Sequence, residues 1–415
     1  MGLTSNDDDG IVVRTMSSTD RIAAVQLAWL SLAMLLGMTL WFSATAANTP
    51  IVAEFRLSAS ETAWLTMAVQ GGFVLGTLVS ALFNLPDVLS ARRLFTAGCI
   101  VGAAANAALV RADGATTIIL LRGVTGAALA CVYPPGMKVA AGWFERRRGM
   151  ALGILIGALT IGSGFPHLLA SLSAAIAWRT LMIVASAAAV AGGAIVAAFV
   201  ADGPYVTSSA RFEARAVLRV FASRGTRLAT LGYLGHMWEL YSVWTWIGVF
   251  ATASLGIGSG VGTSTQGSAL AFLTIASGAG GSIVAGTLAD RVGQARIAAW
   301  AMIVSGICCV TVGTLWTAPL PVLAVFVTLW GVAVVADSAQ LSALVARYSP
   351  RDHVGTALTV QTCAGFLLTM ASIRLMPLIA DAVGWRWTFL ALAPGPFLGA
   401  LALRGLVGGL PAARS

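Results

Sequence analysis

The sequence predicts an all-α membrane protein, with twelve transmembrane helices arranged as two pseudo-symmetric six-helix bundles. Three observations lead there. Of the 415 residues, 58% are hydrophobic and 10% charged, and the mean hydropathy is +0.87. Ordinary soluble domains carry about 25% charged residues, so this chain lacks the charge to cover a water-facing surface. Its apolar residues also gather into runs near the ~20 residues that cross a bilayer. Finally, short stretches recur at offsets of 203 to 207 residues.

Backbone in hydrocarbon must satisfy its hydrogen bonds within its own segment, so each run is read as a helix. In chain order the spans are 22–47, 62–85, 93–110, 115–141, 149–172 and 177–201, then 228–252, 266–289, 296–316, 321–346, 354–380 and 385–408. The domain plan follows: an N-terminal tail (1–21), a first half (22–201), a central loop (202–227), a second half (228–408) and a C-terminal tail (409–415). The start, "MGLTSNDDDG", is acidic and polar, unlike a cleavable signal peptide, so the first run is kept as a span. In the fourth span "VYPPGMK" should bend the helix, because proline lacks an N–H and crowds the preceding turn. Gly72/Gly76 and Gly153/Gly157 are small-residue pairs suited to close helix packing.

Orientation follows from basic residues in the loops. With both termini on one side, that side collects eighteen Arg and the other four: Arg56, Arg111, Arg179 and Arg386. The rich side is expected to be cytoplasmic, which makes this a multi-pass cytoplasmic (inner) membrane protein with both ends inside. The formal charge of +9 is therefore a membrane-orientation signal rather than a nucleic-acid footprint. The five cysteines all lie in apolar runs without metal-site spacing, so neither a disulfide framework nor a metal site is expected, and no cofactor.

The repeat shows in three places. "AWRTL" answers to "GWRWTF" through Trp178/Arg179 and Trp385/Arg386, and Gly149 answers to Gly355. "LPDVLSARR" answers to "LADRVGQAR", pairing Asp87 with Asp290 and Arg93 with Arg296. Internal duplication explains all three.

These residues carry a family resemblance. "GTLADRVGQAR" resembles the G-x-x-x-D-R-x-G-x-x-R loop of the major facilitator superfamily, with Gly286, Asp290, Arg291, Gly293 and Arg296 at its positions. "LLRGVTGAA" is similar to a fourth-span signature through Arg122 and Gly126, and "FERRRGMALG" to the loop that follows. The resemblance implies a latch at these loops that biases one of two states. The charges support that role independently, since an acid at a helix end can face another helix's N-terminus. The first copy is worn: Phe83, Val88 and Ser90 replace the Gly, Arg and second Gly, while Asp87 and Arg93 survive.

Ionisable groups at membrane depth are costly and usually mark a pathway. Arg122, His236, Glu239, Asp337 and Arg374 lie inside spans. In the superfamily the first, fourth, seventh and tenth spans line the cavity, which points to Arg122, His236, Glu239 and Asp337 as the substrate site. Trp41, Gln70, Tyr133, Trp238 and Arg374 complete the candidate lining. Arg122 suits an anion; Glu239 and Asp337 suit a coupled proton. The structural alternative is an interior ion pair of Arg122 with Glu239 or Asp337. His167 is read as a helix-packing residue.

The expected function is a secondary transporter, monomeric and in lipid, that moves a small, anionic solute with protons by alternating access. A drug or metabolite efflux antiporter is one alternative, although "GALTIGSGFP" lacks the antiporter G-P-x-x-G-G run. A non-transporting receptor on the same fold is another. The single lysine, Lys138, follows Met137, so no P-loop exists and no enzyme is expected.

Overall fold

The computed structural model describes residues 18–145, 148–172, 176–205, 213–259 and 264–407. Residues 1–17, 206–212 and 408–415 of the tails and central loop, and the side chain of Asp290, lie outside that description.

The first span is Ser18–Met38, which unwinds at residues 39–42 and resumes as Ser43–Ala46. A short helix, Asn48–Phe55, then leads into the second span, Ala59–Leu82. Ser58 and Glu61 close a capping box at its start, satisfying two N–H groups the helix leaves free. The third is Ala91–Ala108, and the fourth breaks into Ala115–Leu129 and Tyr133–Trp143. That break falls where the two prolines place it, at the start of the second piece. The fifth and sixth are Arg148–Leu172 and Trp178–Phe199.

The seventh span, Arg224–Ser259, is an unbroken helix of 36 residues, about 54 Å long at 1.5 Å per residue. The eighth is Ser264–Val292, the ninth Gln294–Thr311, and the tenth Leu320–Ala336 continued by Ser338–Tyr348. The eleventh is Val354–Val383; the twelfth runs Trp385–Thr388 and Pro394–Val407. Among the described residues, eleven stretches are long and apolar enough to cross a membrane. The seventh is not among them over its described residues, in which "GHMWELYSVWTW" carries His236, Glu239, one Tyr and three Trp.

Packing follows the glycines. A Cβ on Gly126 would lie 2.0 Å from the Val69 carbonyl oxygen, and one on Gly76 2.6 Å from that of Ala127. The second and fourth spans therefore touch backbone to backbone. A Cβ on Gly331 would lie 1.9 Å from the Thr274 oxygen, and one on Gly281 2.1 Å from that of Val332, joining the eighth and tenth spans. Both pairs repeat at an offset of 205 residues. The fifth span packs on the eighth and the second on the eleventh, with Gly153 and Gly157 facing Ser282 and Ala279.

On the face opposite the Arg-rich loops, Glu54 accepts from Arg179 at 2.9 and 2.5 Å and from Trp178 Nε1 at 2.7 Å. These bonds hold its carboxyl below the ordinary range, the Arg179 guanidinium contributing most.

Candidate functional site

The unwound turn of the first span frees carbonyls that would otherwise be paired. Arg122 meets them. Its Nε donates to Leu65 O at 3.0 Å, one terminal nitrogen to Leu40 O at 2.9 Å and Ser43 Oγ at 3.2 Å, and the other to Trp41 O. Asn106 braces the same group, accepting from Ser43 at 2.7 Å and donating to Met182 O and Ser186 Oγ. The guanidinium is completely buried. Its donors are engaged with protein, not turned toward a cavity.

The unwound turn sends Trp41 and Phe42 to the molecular centre. Trp41 lies 5.1 Å from Phe73, 5.7 Å from Tyr241 and 5.7 Å from Phe366. Phe42 lies 6.2 Å from Tyr241 and 5.9 Å from Trp244. This aromatic cluster joins the first, second, seventh and eleventh spans and stands between two cavities. The inner one, of about 420 Å³, opens toward the Arg-rich loops and is lined by Tyr133, Tyr233, His236, Tyr241, Trp244 and Ser338, among others. The outer one, of about 320 Å³, includes Thr45, Asn48, His167 and Thr245.

Two ionisable couples border the inner cavity. His236 Nδ1 lies 2.8 Å from Asp337 Oδ1, both side chains 3% exposed, and its Nε2 is 3.0 Å from Ser338 Oγ. Oδ1 accepts no aligned hydrogen bond, so the contact is one of close approach rather than of a well-directed donor. Asp337 occupies the break in the tenth span, as Cys131 does in the fourth. Lys138 pairs with Asp87 and also donates to Pro86 O at 3.2 Å.

Glu239 shares a helix face with His236 one turn away but turns into the second half. Its Oε1 accepts from Ser305 Oγ at 2.5 Å, Trp330 Nε1 at 2.8 Å and Cys309 Sγ at 3.2 Å. Arg122 pairs with neither Glu239 nor Asp337, so the interior ion pair is replaced by these separate networks. Trp238 donates to Ala391 O at 3.0 Å and packs toward the twelfth span, away from the inner cavity's lining. Gln70 is wholly buried with both polar atoms unpartnered; Trp41 Nε1 and Trp244 Nε1 are likewise unpartnered. Arg374 is half-buried with one terminal nitrogen unpartnered.

The sequence matches the model of the Major Facilitator Superfamily over residues 30–280 and 230–413, together nearly the whole chain. The chain belongs to the major facilitator superfamily. The fold agrees: a crystal structure of a point mutant of the nucleoside transporter NupG superposes with a TM-score of 0.71, over 92% of this chain and 99% of that one, at 12% identity. No curated protein matches the sequence significantly. As a member of this superfamily the chain is a transmembrane transporter of small molecules, not an enzyme.

In the second copy of the superfamily loop Gly293 has φ of +101°, a backbone that side-chain-bearing residues resist, so that turn requires its glycine. Ser90, at the matching place in the first copy, adopts φ −55° and caps the third span by accepting from the Arg93 N–H at 3.3 Å. The worn copy thus makes a different turn. Asp290 and Arg291 fall in the last turns of the eighth span, and Gly286 sits half-buried on the same helix. Arg93, Arg291 and Arg296 are exposed.

Asn106, Ser305, Trp330, Phe73 and Phe366 were not among the residues expected from sequence. Asn106 was legible in principle, an amide alone in "GAAANAAL". The others are ordinary residues whose role arises only from what the fold brings beside them.

Proposed function

We propose that this transporter moves a small, uncharged, planar organic solute through the centre of the molecule, coupled to protons at His236 and Asp337. The observation that carries the solute class is the set of orphaned polar atoms on the spans that build the aromatic cluster: Trp41 Nε1, Trp244 Nε1 and both ends of Gln70. A buried donor or acceptor without a partner costs about 1–3 kcal/mol, and such groups persist where a ligand completes them. Rings stacked around them offer a planar solute its faces.

An anion was expected on the strength of Arg122, whose donors are engaged in the fold. Lys138, which lines the inner cavity, already has Asp87. The proposal is therefore an uncharged solute. A nucleoside, the kind of solute for which the similarly folded NupG is named, combines a planar ring with hydrogen-bonding edges and is the first to test. Proton coupling rests on the 2.8 Å approach of His236 to Asp337, an imidazole and a carboxylate buried together at membrane depth beside the inner cavity. The two halves, 22–201 and 228–408, would rock about this centre, with Asp87, Arg93 and the Gly286–Arg296 loop biasing the closed inner mouth and the Arg-rich face in the cytoplasm.

Uptake of labelled nucleosides and of labelled lactate into vesicles, with and without a pH gradient, tests this reading. Accumulation of the uncharged solute that responds to the gradient, and loses that response in Asp337→Asn, is expected. Accumulation of lactate alone would overturn the solute class. An unchanged gradient response in Asp337→Asn would overturn the proton assignment.

A further inference from the structure

The outer cavity lies on the far side of the aromatic cluster and has a different chemistry from the inner one. Among the described residues that line it, none is an Asp, Glu, Lys or Arg. Its polar groups are His167, Asn48 and the hydroxyls of Thr49, Thr245, Thr252 and Ser268, among others. His167 is 4% exposed, and its Nε2 has no partner. Its ring lies 6.3 Å from Phe42, at the edge of the aromatic cluster. Asn48 Oδ1 is buried and unpartnered as well.

The hydrogen-bond directions give the site a sense. Thr245 donates its hydroxyl proton to Tyr241 O at 2.6 Å, and Thr252 donates to Gly248 O at 2.9 Å. With the protons so engaged, these oxygens can offer only lone pairs to an occupant. Asn48 Oδ1 is an acceptor by nature, and a neutral imidazole offers an acceptor at one ring nitrogen. The cavity thus offers acceptors beside the donors of Asn48 Nδ2 and its remaining hydroxyls, and the described residues that line it include no Asp, Glu, Lys or Arg. Its volume, about 320 Å³, exceeds by about tenfold the ~30 Å³ share of one water, so it is far too large to coordinate a single small ion.

We infer that the outer cavity is a second binding site, for a free uncharged solute carrying several O–H donors, such as a polyol. An anion would find no cation there. A cation would lose its hydration without a carboxylate to replace it. A polyol brings the donors that His167, Asn48 and the threonine oxygens lack, and it occupies the pathway outside the aromatic cluster.

The test is equilibrium binding of labelled D-ribose and D-mannitol to the full-length protein in lipid nanodiscs. Saturable binding of at least one is expected, with affinity about tenfold weaker in His167→Phe, the equivalent of one lost hydrogen bond of about 1.4 kcal/mol. Thr245→Val removes an acceptor at nearly constant volume, so it keeps the test decisive if His167→Phe does not fold; the same direction of effect is expected. Asp337→Asn, which bears on proton coupling at the inner cavity, should leave polyol binding unchanged even where it abolishes the gradient response. No saturable polyol binding, or binding unaffected by Thr245→Val, would overturn the inference. So would stabilisation by sodium chloride, absent in Thr245→Val, in place of polyol binding.

Discussion

Each half of the molecule buries a hydrogen-bonded hub built on one ionisable side chain, a base in the first half and an acid in the second, and the backbone beside each differs. In the first half Arg122 reaches a first span that is unwound at residues 39–42, and it donates to the carbonyls of Leu40, Trp41 and Leu65. In the second half the equivalent seventh span is continuous from Arg224 to Ser259. A continuous helix pairs its own N–H groups at mid-span, so an acceptor there finds its donors on side chains. Glu239 does so, accepting from Ser305, Trp330 and Cys309. Arginine's five donors in a planar fork suit the several carbonyls of an opened turn. A carboxylate, an acceptor alone, suits convergent hydroxyl, indole and thiol donors. The lesson is that an ionisable residue at membrane depth need not face a solute, because one that stitches an irregular backbone serves the fold first.

The largest expected effect comes from breaking the first hub. Arg122→Met should cost about 3–5 kcal/mol, since each buried acceptor left short of a donor costs about 1–3 kcal/mol and Trp41 O, Leu40 O and Asn106 Oδ1 each lose one. Thermal unfolding in detergent should show the midpoint falling by several degrees or the folded fraction vanishing. Arg122→Lys should recover part of the loss, since an ammonium reaches fewer of the carbonyls. A variant as stable as the parent would mean that the turn satisfies itself and the hub is idle.

The second hub should respond less, and its response should separate charge from hydrogen bonding. Glu239→Gln keeps an acceptor for Trp330 Nε1 and Ser305 Oγ, and a shift within about 1 kcal/mol is expected. Glu239→Leu strands both donors and should cost about 1–3 kcal/mol. If Gln proves as damaging as Leu, the negative charge itself is needed, and Glu239 returns as a candidate for proton coupling.

Much of the fold was legible because its physics is local. Runs of apolar residues marked the spans, the Pro134–Pro135 pair located the break in the fourth, and the +101° φ of Gly293 fits the turn read from its loop. The site was legible only as a list. His236 and Asp337 do meet, Trp41 lies in the aromatic cluster and Tyr133 lines the inner cavity, while Gln70 is buried without a polar partner. Arg122 and Glu239, however, look from sequence like solute contacts, and only the fold shows which neighbours take up their bonds. Nothing in "GMTLWFSAT" announces that the helix opens there, since none of these residues is a proline. The opened carbonyls of Leu40 and Trp41 meet Arg122, 82 and 81 residues further along the chain, and a long-range partner leaves no local periodicity to read.

The smallest effect concerns the repeated Trp-Arg pair at the opposite face, where the halves again diverge. Arg179 binds the carboxylate of Glu54, whereas Arg386 donates to the carbonyl of Gly313 at 3.1 Å. Only the first contact can titrate in the acid range. The Glu54 carboxyl is held below its ordinary value of 4.5, chiefly by Arg179. Its folded value is depressed, so its contribution to stability is present above about pH 4.5 and is lost as pH falls through the folded value. Glu54→Gln should therefore lower the unfolding midpoint slightly at neutral pH, with the two proteins converging as pH falls through the depressed folded value of Glu54. Arg386→Gln should give an offset that stays constant over the same range, because a backbone carbonyl carries no charge to lose. Parallel curves for Glu54→Gln and the parent down to acid pH would show that the ion pair forms without stabilising this corner, as exposed pairs often do.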